Sequence, residues 1–289
     1  PPRSTLFPYT TLFRSKYCKD NNIEVIIPLF DIDLLILSQN KKKFEEFGIS
    51  VIVSDEECIQ ICNDKWLTYN FLIKNQLKTP KTFLTINNTL QAIETKSICF
   101  PLVIKPRWGM GSIGLFDVDN SDELRILYNK VLNTIKNSYL KYESLQSIEN
   151  CIIIQEKLIG VEYGLDILND LRKEFLTCIP KRKLAMRAGE TDCAEIIENN
   201  QLFKLGKNLS SSLKHIGNLD VDCIHVDNDF FVLDLNCRFG GQYPFSHLAG
   251  VNFPRAIIEM LLSGVVDKNL FNINFGVIGS KDLVPVLLK

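Results

Sequence analysis

Hydrophobic positions near the start of the chain change from strand-like to helix-like spacing and back. The apolar run IEVIIPLF follows Asn22, a helical pattern extends from Asp31 to near Gly48, and the short run ISVIVS comes next. A strand, a helix and a second strand of these lengths are typical of a parallel α/β layer. We therefore expect residues 16–63 to form a partial, truncated layer of this kind.

The middle of the chain predicts a helix, a pair of strands and a second helix. The first helix has amphipathic spacing from Asp64, its expected N-cap, to Leu77. The strands FPLVIKP and IGLFDV then flank a glycine-rich turn, and Ser121 is expected to cap a helix that continues to about Asn133. The polar stretch 137–150 is predicted to be a surface loop.

Strand patterns dominate the second half of the chain. The apolar runs CIIIQE and VEYGLDIL precede PKRKLAMRAGE, which predicts a basic, glycine-containing loop over 180–190. A helix near 199–214 leads to two alternating runs, DVDCIHV and FFVLDLN, whose polar junction at 227–229 is typical of a hairpin. A last helix is predicted from Asn252 to Gly264.

Composition narrows the class of protein. Of the 289 residues, 46% are hydrophobic and 23% are charged, and 33 basic against 34 acidic side chains give a net charge of −1. These values are far from those of disordered chains and supply no basic field for nucleic acid. No apolar stretch reaches the length of about 18 residues that a membrane span needs. We expect a cytoplasmic protein with neither nucleic acid nor membrane as a partner.

The first fifteen residues, PPRSTLFPYTTLFRS, do not resemble a natural start. They lack an initiator Met, contain two similar short repeats, and are too often interrupted by polar residues and proline for a secretory signal. Residues 1–15 are interpreted as translated adapter or cloning sequence, and a natural N-terminal portion is expected to be missing.

Nine cysteines are scattered through apolar runs, at positions 18, 58, 62, 99, 151, 178, 193, 223 and 237. Cys58 and Cys62 form the only close pair, and neither a second pair nor a histidine stands at zinc spacing from them. Buried free thiols in a reducing cytosol are therefore the expectation.

The segment Gly109-Met-Gly-Ser-Ile-Gly114 fits G-x-G-x-x-G, but it connects a strand to a strand. A dinucleotide fingerprint must enter a helix whose N-terminus holds the pyrophosphate, so that interpretation is rejected. Glycines still allow backbone N–H groups to approach phosphates closely, and Lys105 lies four residues earlier. Phosphate binding and a plain hairpin with an edge lysine both remain open.

Alternation places Asp220 and Asp222 on one face of their strand, and Asp234 and Asn236 on one face of the next. Pairing around the turn sets Asp222 opposite Asp234, or Asp220 opposite it if the register differs by two. Carboxylates this close repel each other unless a cation lies between them, and oxygen ligands suit magnesium. The hairpin predicts a magnesium site, with a solvated polar face as the alternative.

The remaining polar positions carry weaker signals. Glu156 ends a buried run and Glu162 follows a glycine, an arrangement suited to gripping a polar ligand or simply to leaving the core. Arg238 follows the acidic hairpin and precedes two glycines, where it could hold a phosphate or carboxylate bidentately. The three histidines show no ligand or catalytic spacing.

The order of these motifs resembles the ATP-grasp superfamily, particularly its carbamoyl-phosphate-synthase-like and carboxylate–amine ligase branches. The matching segments are DK at 64–65, FPLVIKP with its glycine loop, QEKLIGVEYG, and LDLNCRFGG. The resemblance implies an α/β (α+β) fold with a small lid of about 99–156 and a larger antiparallel-sheet subdomain, together spanning 64–289.

The resemblance also implies roles for single residues. ATP phosphates would be held by Lys65, Lys105 and the loop with Gly109, Gly111, Ser112 and Gly114. The adenine and ribose would meet Glu156, Lys157, Leu158 and Glu162. The Mg2+ or Mn2+ ligands would be Asp222, Asp234 and Asn236. Arg238 and Lys105 would act on the transferred phosphoryl group.

The implied activity is ADP-forming ligation, in which a carboxylate is activated as an acyl phosphate and captured by an amine. Phosphorylation of bicarbonate or carbamate, and nucleotide binding without turnover, are the alternatives. Asp234 replaces a commoner Glu and Cys237 a commoner Pro. The expected partners are small-molecule carboxylate and amine substrates, and a homodimer is left open.

Overall fold

The computed structural model describes residues 14–109 and 111–282, and these residues form three β-sheets with helices packed against them. A parallel sheet pairs strand β1 (Val25–Ile26) with β2 (Ser50–Val51). The other two sheets are antiparallel and have four and six strands. This confirms the predicted mixed α/β fold. Most of the segment interpreted as adapter sequence, residues 1–13, lies outside the described residues.

The parallel sheet belongs to an N-terminal layer with helices α1 (Asp31–Glu45) and α2 (Glu56–Asn63). Helix α1 has acidic residues in its first turn and lysines in its last, which complements the helix dipole. Its buried face, with Leu34, Leu37 and Phe44, lies in one apolar cluster with strands of the six-stranded sheet. The layer and that sheet therefore share a core.

The four-stranded sheet begins after helix α3 (Lys65–Lys74) and is packed against α4 (Ile86–Glu94) and α5 (Ser121–Lys136). Its strands, in spatial order, are β3 (Thr82–Phe83), β6 (Ile152–Glu156), β4 (Leu102–Pro106) and β5 (Phe116–Val118). Strands β4 and β5 pair antiparallel, so the glycine-rich segment between them is a hairpin connection as predicted.

Two local predictions in this region need correction. Asn120, not Ser121, caps α5, because its side chain accepts hydrogen bonds from the first backbone N–H groups of the helix. The stretch 137–150 is not all loop, since it contains a short helix α6 (Lys141–Ser144) and a 3-10 turn (Ile148–Asn150). Leu140, at the start of α6, is completely buried, which explains why this polar segment forms regular structure against the protein.

The six-stranded sheet has the spatial order β11 (Asp229–Asn236), β10 (Gly217–Val226), β7 (Val161–Asn169), β8 (Phe175–Arg187), β9 (Glu190–Ile196) and β12 (Ile278–Ser280). Helix α7 (Asn200–Leu213) packs on β7 and β8, and α8 (Tyr243–Leu248) and α9 (Phe253–Ser263) contribute to a second apolar cluster. In the part of the chain that the structure describes, no helix has both the length and the apolar character needed to cross a bilayer.

The predicted basic loop over 180–190 is wrong. Strand β8 continues to Arg187, and the chain turns only at Ala188 and Gly189, both of which have positive φ. The charged residues of this strand alternate between its two faces. The strand pairs with β7 on one side and β9 on the other, and this pairing could not be seen from the run of charges in the sequence.

A bidentate ion pair joins α3 to strand β4. Asp64 caps α3 by accepting hydrogen bonds from two backbone N–H groups, as predicted, and both its oxygens also bind Arg107 at 2.7 Å. The backbone N–H of Lys65 donates to the carbonyl of Arg107 at 3.2 Å. Because Arg107 directly follows β4, this pair fixes Lys65 relative to Lys105 on that strand.

Replacing Asp64 is expected to destabilise the fold strongly. Asp64→Ala removes a helix cap and leaves the largely buried guanidinium of Arg107 without its carboxylate, so the free energy of unfolding should fall by about 3 kcal/mol. Thr85→Ala is the matched control, because Thr85 caps α4 without an ion pair, and it should cost about 1 kcal/mol. Urea denaturation of both variants measures the difference. Equal losses would mean that the ion pair contributes nothing.

Candidate functional site

A cleft of about 790 Å³ lies between the two antiparallel sheets and the N-terminal layer. It is lined by nine of the residues predicted for the site, namely Lys65, Lys105, Gly109, Gly111, Ser112, Asp222, Asp234, Asn236 and Arg238. They come from α3, both hairpins and the segment after β11, which are far apart along the chain. The fold therefore brings most of the predicted set into one concave site.

The β10–β11 hairpin determines how the acidic residues face each other. Asp222 pairs with Asp234, and Asp220 pairs with Asn236, so the register with Asp222 opposite Asp234 is the one observed. The chain turns through Asp227, which has positive φ, and Asn228, as expected for a tight hairpin.

Two lysines lie beside the facing carboxylates. Lys65 Nζ is 3.4 Å from Asp234 Oδ2, and Lys183 Nζ is 2.6 Å from Asp222 Oδ1. Burial alone would lower the pKa of Lys183, but the Asp222 carboxylate outweighs it and holds that pKa above its ordinary value. The repulsion between the two carboxylates is thus relieved by cations of the chain itself.

Lys183 was missed by the sequence analysis because it was assigned to a loop. The available signal was its spacing from Lys181, since residues two apart share a face of a strand. Lys181 is completely buried and contacts Asp166 and Ser246 beneath the cleft. Strand β8 thus carries one lysine in the core and the next at the wall of the cleft.

Asp220 lies two residues before Asp222 on β10, and two amide side chains hold its carboxylate. Asn236 Nδ2 donates to Asp220 Oδ2 at 3.3 Å, and Gln242 Nε2 donates to Asp220 Oδ1. Burial, with repulsion from Asp222 and Asp166, raises the pKa of Asp220 to about 7. Because the amide nitrogen of Asn236 is engaged, its oxygen is the atom available to a ligand.

Arg238 makes a bidentate ion pair with the N-terminal layer. Its Nε and Nη2 donate to the two oxygens of Asp31 at 2.8 and 2.7 Å, and Nη1 is 3.8 Å from Asp220 Oδ2. Asp31 also lines the cleft but was not predicted. Asp31 could have been predicted from its position soon after β1, because ligand sites in parallel sheets lie beyond the carboxyl ends of the strands.

The glycine loop closes one side of the cleft. Lys65 Nζ donates to the carbonyl of Gly109 at 2.8 Å, and Gly109 and Gly111 have positive φ. The loop also contacts the β8–β9 turn, because a Cβ placed on Gly189 would lie 2.6 Å from Ser112 Oγ. Met110 lies outside the described residues.

Lys105 also lines the cleft, and its side chain is partly buried. Desolvation lowers its pKa to about 8, the nearby Lys65 acts in the same direction, and Asp234 partly opposes both. An anion bound at this position would raise that pKa and stabilise the ammonium form of Lys105.

Five predicted residues do not line the cleft, namely Gly114, Glu156, Lys157, Leu158 and Glu162. Lys157 pairs with Asp117 at 2.8 Å, and Glu162 lies 3.4 Å from Lys183. The roles of these five residues toward a nucleotide stay predictions.

Because Gly240 has no side chain, the carboxylate of Asp220 can pack directly against its backbone. A Cβ at Gly240 would overlap that carboxylate, whereas a Cβ at Gly241 would meet the flexible ends of Glu190 and Lys281, at 3.3 and 3.4 Å. We expect Gly240→Ala to lower the free energy of unfolding by about 2 kcal/mol through overpacking, and Gly241→Ala to change it little. Thermal unfolding of the two variants checks this. Similar stabilities would show that Asp220 is not held against Gly240.

Two family models match the chain. The ATP-grasp domain matches residues 62–242, and the PylC-like N-terminal domain matches residues 10–52. Among curated relatives, the carbamoyl phosphate synthase large chain of Pseudothermotoga lettingae is 24% identical over 217 residues, which cover 71% of this chain and 18% of that protein. The D-alanine–D-alanine ligase of Petrotoga mobilis is 24% identical over 233 residues, covering 74% and 71%. The chain thus spans about a fifth of the carbamoyl phosphate synthase large chains it matches.

Solved structures share the fold at low identity. The biotin carboxylase domain of Hydrogenobacter thermophilus 2-oxoglutarate carboxylase, in complex with MgADP and bicarbonate, superposes with a TM-score of 0.72 at 15% identity, covering 93% of this chain and 60% of that one. An L-amino acid ligase from Bacillus licheniformis gives 0.67 at 16% identity, covering 90% and 63%. With more than half of the chain matched by the family model and the fold in agreement, this chain belongs to the ATP-grasp family, as its motif order predicted.

Proposed function

We propose that this ATP-grasp chain is an ADP-forming ligase that activates a carboxylate as an acyl phosphate and passes it to an amine. The observation that carries the proposal is that one cleft contains the facing carboxylates Asp222 and Asp234 together with three lysines, a glycine loop and Arg238. This set combines anionic groups for a metal with cationic and backbone groups for phosphates.

The donor set of Asp222, Asp234 and Asn236 fits Mg2+ or Mn2+. Two carboxylates and one amide oxygen are hard ligands, and the lysine ammonium groups already beside the carboxylates mark a place where positive charge is stabilised. Bound Mg2+ would neutralise phosphate charge and align phosphate oxygens. Asp220, held by Gln242, would keep Asn236 oriented with its oxygen free.

The cations of the chain provide positioning and charge neutralisation. Lys105, Lys65 and the backbone of Gly109, Gly111, Ser112 and Gly114 would bind the ATP phosphates, and Arg238 would hold the transferred phosphoryl group. In the first step a carboxylate oxygen bonds to the γ-phosphorus while the bond to the β-phosphate oxygen breaks, leaving ADP. The amine then bonds to the acyl carbon, loses a proton and displaces inorganic phosphate.

The wall of the cleft favours an organic substrate over bicarbonate. Apolar side chains from four parts of the chain line it, including Leu29, Phe30, Ile113, Met186, Phe239 and Tyr243. Bicarbonate or carbamate offers no apolar surface to such a wall. This favours the carboxylate–amine reaction over the carbamoyl-phosphate-synthase-like one.

The domain organisation is part of the proposal. Residues 64–289 would form the ATP-grasp domain, with 99–156 as the lid, and residues 16–63 a partial preceding domain. The segment with Glu156, Lys157, Leu158 and Glu162 would meet the adenine and ribose where it connects the lid to the six-stranded sheet. A homodimer remains part of the hypothesis, since the related biotin carboxylase domain is a dimer.

Substrate-dependent ADP release tests the proposal. The chain is incubated with MgATP and pooled amino acids, and ADP and new amide products are followed. Release that requires both a carboxylate and an amine supports ligation. Release that requires bicarbonate alone supports the alternative phosphorylation, and nucleotide binding without ADP under any condition would contradict both.

The metal assignment predicts loss of turnover without loss of fold. Asp234→Ala and Asn236→Ala should each lower magnesium-dependent ADP formation by more than about 100-fold, because each removes one metal ligand. Asp229→Ala, at the exposed end of the same hairpin, is the control and should retain activity. Wild-type turnover in both site variants would disprove the assignment, provided circular dichroism shows a folded chain.

The two lysines should differ in their contribution to nucleotide binding. Lys105→Met should weaken ATP affinity by about 10- to 100-fold, since a charge-assisted hydrogen bond to phosphate is lost. Lys65→Met should have a smaller effect, because Lys65 already binds the Gly109 carbonyl and faces Asp234. Calorimetric titration with MgATP measures both, with Lys130→Met on α5 as the control. Unchanged affinity in Lys105→Met would leave that lysine a structural edge residue.

A further inference from the structure

Three buried cysteines meet behind the cleft, on the side away from the acidic pair. Cys58 and Cys62 come from helix α2, and Cys237 follows strand β11. The three sulfur atoms all lie within 4.8 Å of one another, and Cys58 Sγ is 3.4 Å from Cys237 Sγ. Each residue is at most 5% exposed.

The arrangement follows from helix geometry and sheet position. Residues four apart project from one face of a helix, so Cys58 and Cys62 point together from α2. That helix packs against β11, and Cys237 is the first residue after the strand ends. The pair seen in the sequence therefore does acquire a third thiol, from a position about 175 residues away.

The spacing of the sulfur atoms suits a metal ion. Zinc binds thiolates at about 2.3 Å in tetrahedral geometry, which separates neighbouring sulfur atoms by about 3.8 Å. Cys58 Sγ and Cys237 Sγ are 3.4 Å apart and all three sulfur atoms lie within 4.8 Å of one another, a range that includes that value. Soft thiolate ligands also distinguish this cluster from the oxygen ligands of the acidic hairpin.

We propose that Cys58, Cys62 and Cys237 form a thiolate site for Zn2+, separate from the nucleotide cleft and independent of the function proposed for it. The ion would tie α2 of the N-terminal layer to the segment that carries Asn236 and Arg238.

The cluster supplies three ligands, so the fourth ligand of a tetrahedral ion would come from its surroundings. Ser54 Oγ is 3.3 Å from Cys237 Sγ. His215 is completely buried and interacts electrostatically with Cys58, although its ring nitrogens are not part of the group of atoms that lie within 4.8 Å of one another. Burial lowers the pKa of His215 to about 4 and so keeps its imidazole neutral, which is the form in which histidine binds zinc.

Other buried cysteines of the chain provide the contrast. Cys178 and Cys223 are also fully buried, but they lie outside the three-sulfur cluster and fill the apolar core as ordinary small side chains. Apolar filling accounts for these isolated thiols. It does not by itself account for three thiols that meet at one point.

Cobalt(II) provides the direct test, because its thiolate complexes have visible and near-ultraviolet absorption bands whereas zinc complexes have no visible absorption. The fully reduced full chain, freed of metal by a chelator, is titrated with Co2+ and then with Zn2+. We expect one equivalent of Co2+ to produce thiolate charge-transfer bands and tetrahedral visible bands, and Zn2+ to remove both. Zinc should also raise the melting temperature of the chelated protein.

Variants assign the signal to the cluster. Cys58→Ala and Cys237→Ala should each weaken cobalt binding by at least tenfold and abolish the zinc-dependent rise in melting temperature. Cys178→Ala, a buried cysteine outside the cluster, and Asp234→Ala, in the acidic hairpin, should retain both. If a cluster variant does not fold, the wild-type bands still decide, since their intensity reports the number of thiolates bound.

The proposal fails if the reduced wild-type chain shows no thiolate bands with Co2+. It also fails if the bands persist in Cys58→Ala and Cys237→Ala. Isolation of the chain with a Cys58–Cys237 disulfide, together with no metal binding after reduction, would likewise overturn it and identify the cluster as a redox pair.

Discussion

Two carboxylates face each other across the β10–β11 hairpin, and the rest of the cleft is arranged around this constraint. Asp222 and Asp234 are directly opposite in the register, and such a pair repels unless positive charge lies beside it. In the structure Lys183 and Lys65 provide that charge, each from a different element. The acidic hairpin therefore requires both the long strand β8 and the start of α3 at its side.

The N-terminal layer contributes to the same arrangement through ion pairs. Asp31 at the start of α1 holds Arg238, and Asp64 between α2 and α3 holds Arg107. Each pair joins an element of one layer to a segment that carries site residues. The orientation of Arg238 thus depends on a helix that lies outside the part of the chain matched by the ATP-grasp model, which begins at residue 62.

Much of this could be predicted from local patterns, because period-two alternation and turn chemistry act over a few residues. The hairpin, its facing aspartates and the cap at Asp64 belong to this group. The long strand β8 was missed because a dense charge run looked like a solvated loop, although its lysines turn inward to meet acidic partners. Asp31, Asp220 and Gln242 gained their roles from contacts between distant segments, which no local pattern contains. The meeting of Cys237 with the helical pair is of the same kind.

The lysines that neutralise the acidic hairpin give the proposed site a thermodynamic property of its own. A metal ion arriving between Asp222 and Asp234 would release Lys65 from its carboxylate partner, and an ammonium group without a neighbouring carboxylate is a better ligand for phosphate. A phosphate that draws the lysine away would in turn expose the carboxylates to the metal. Each ligand would then raise the affinity for the other by the same factor, as linkage requires, so metal and nucleotide would bind in the cleft cooperatively.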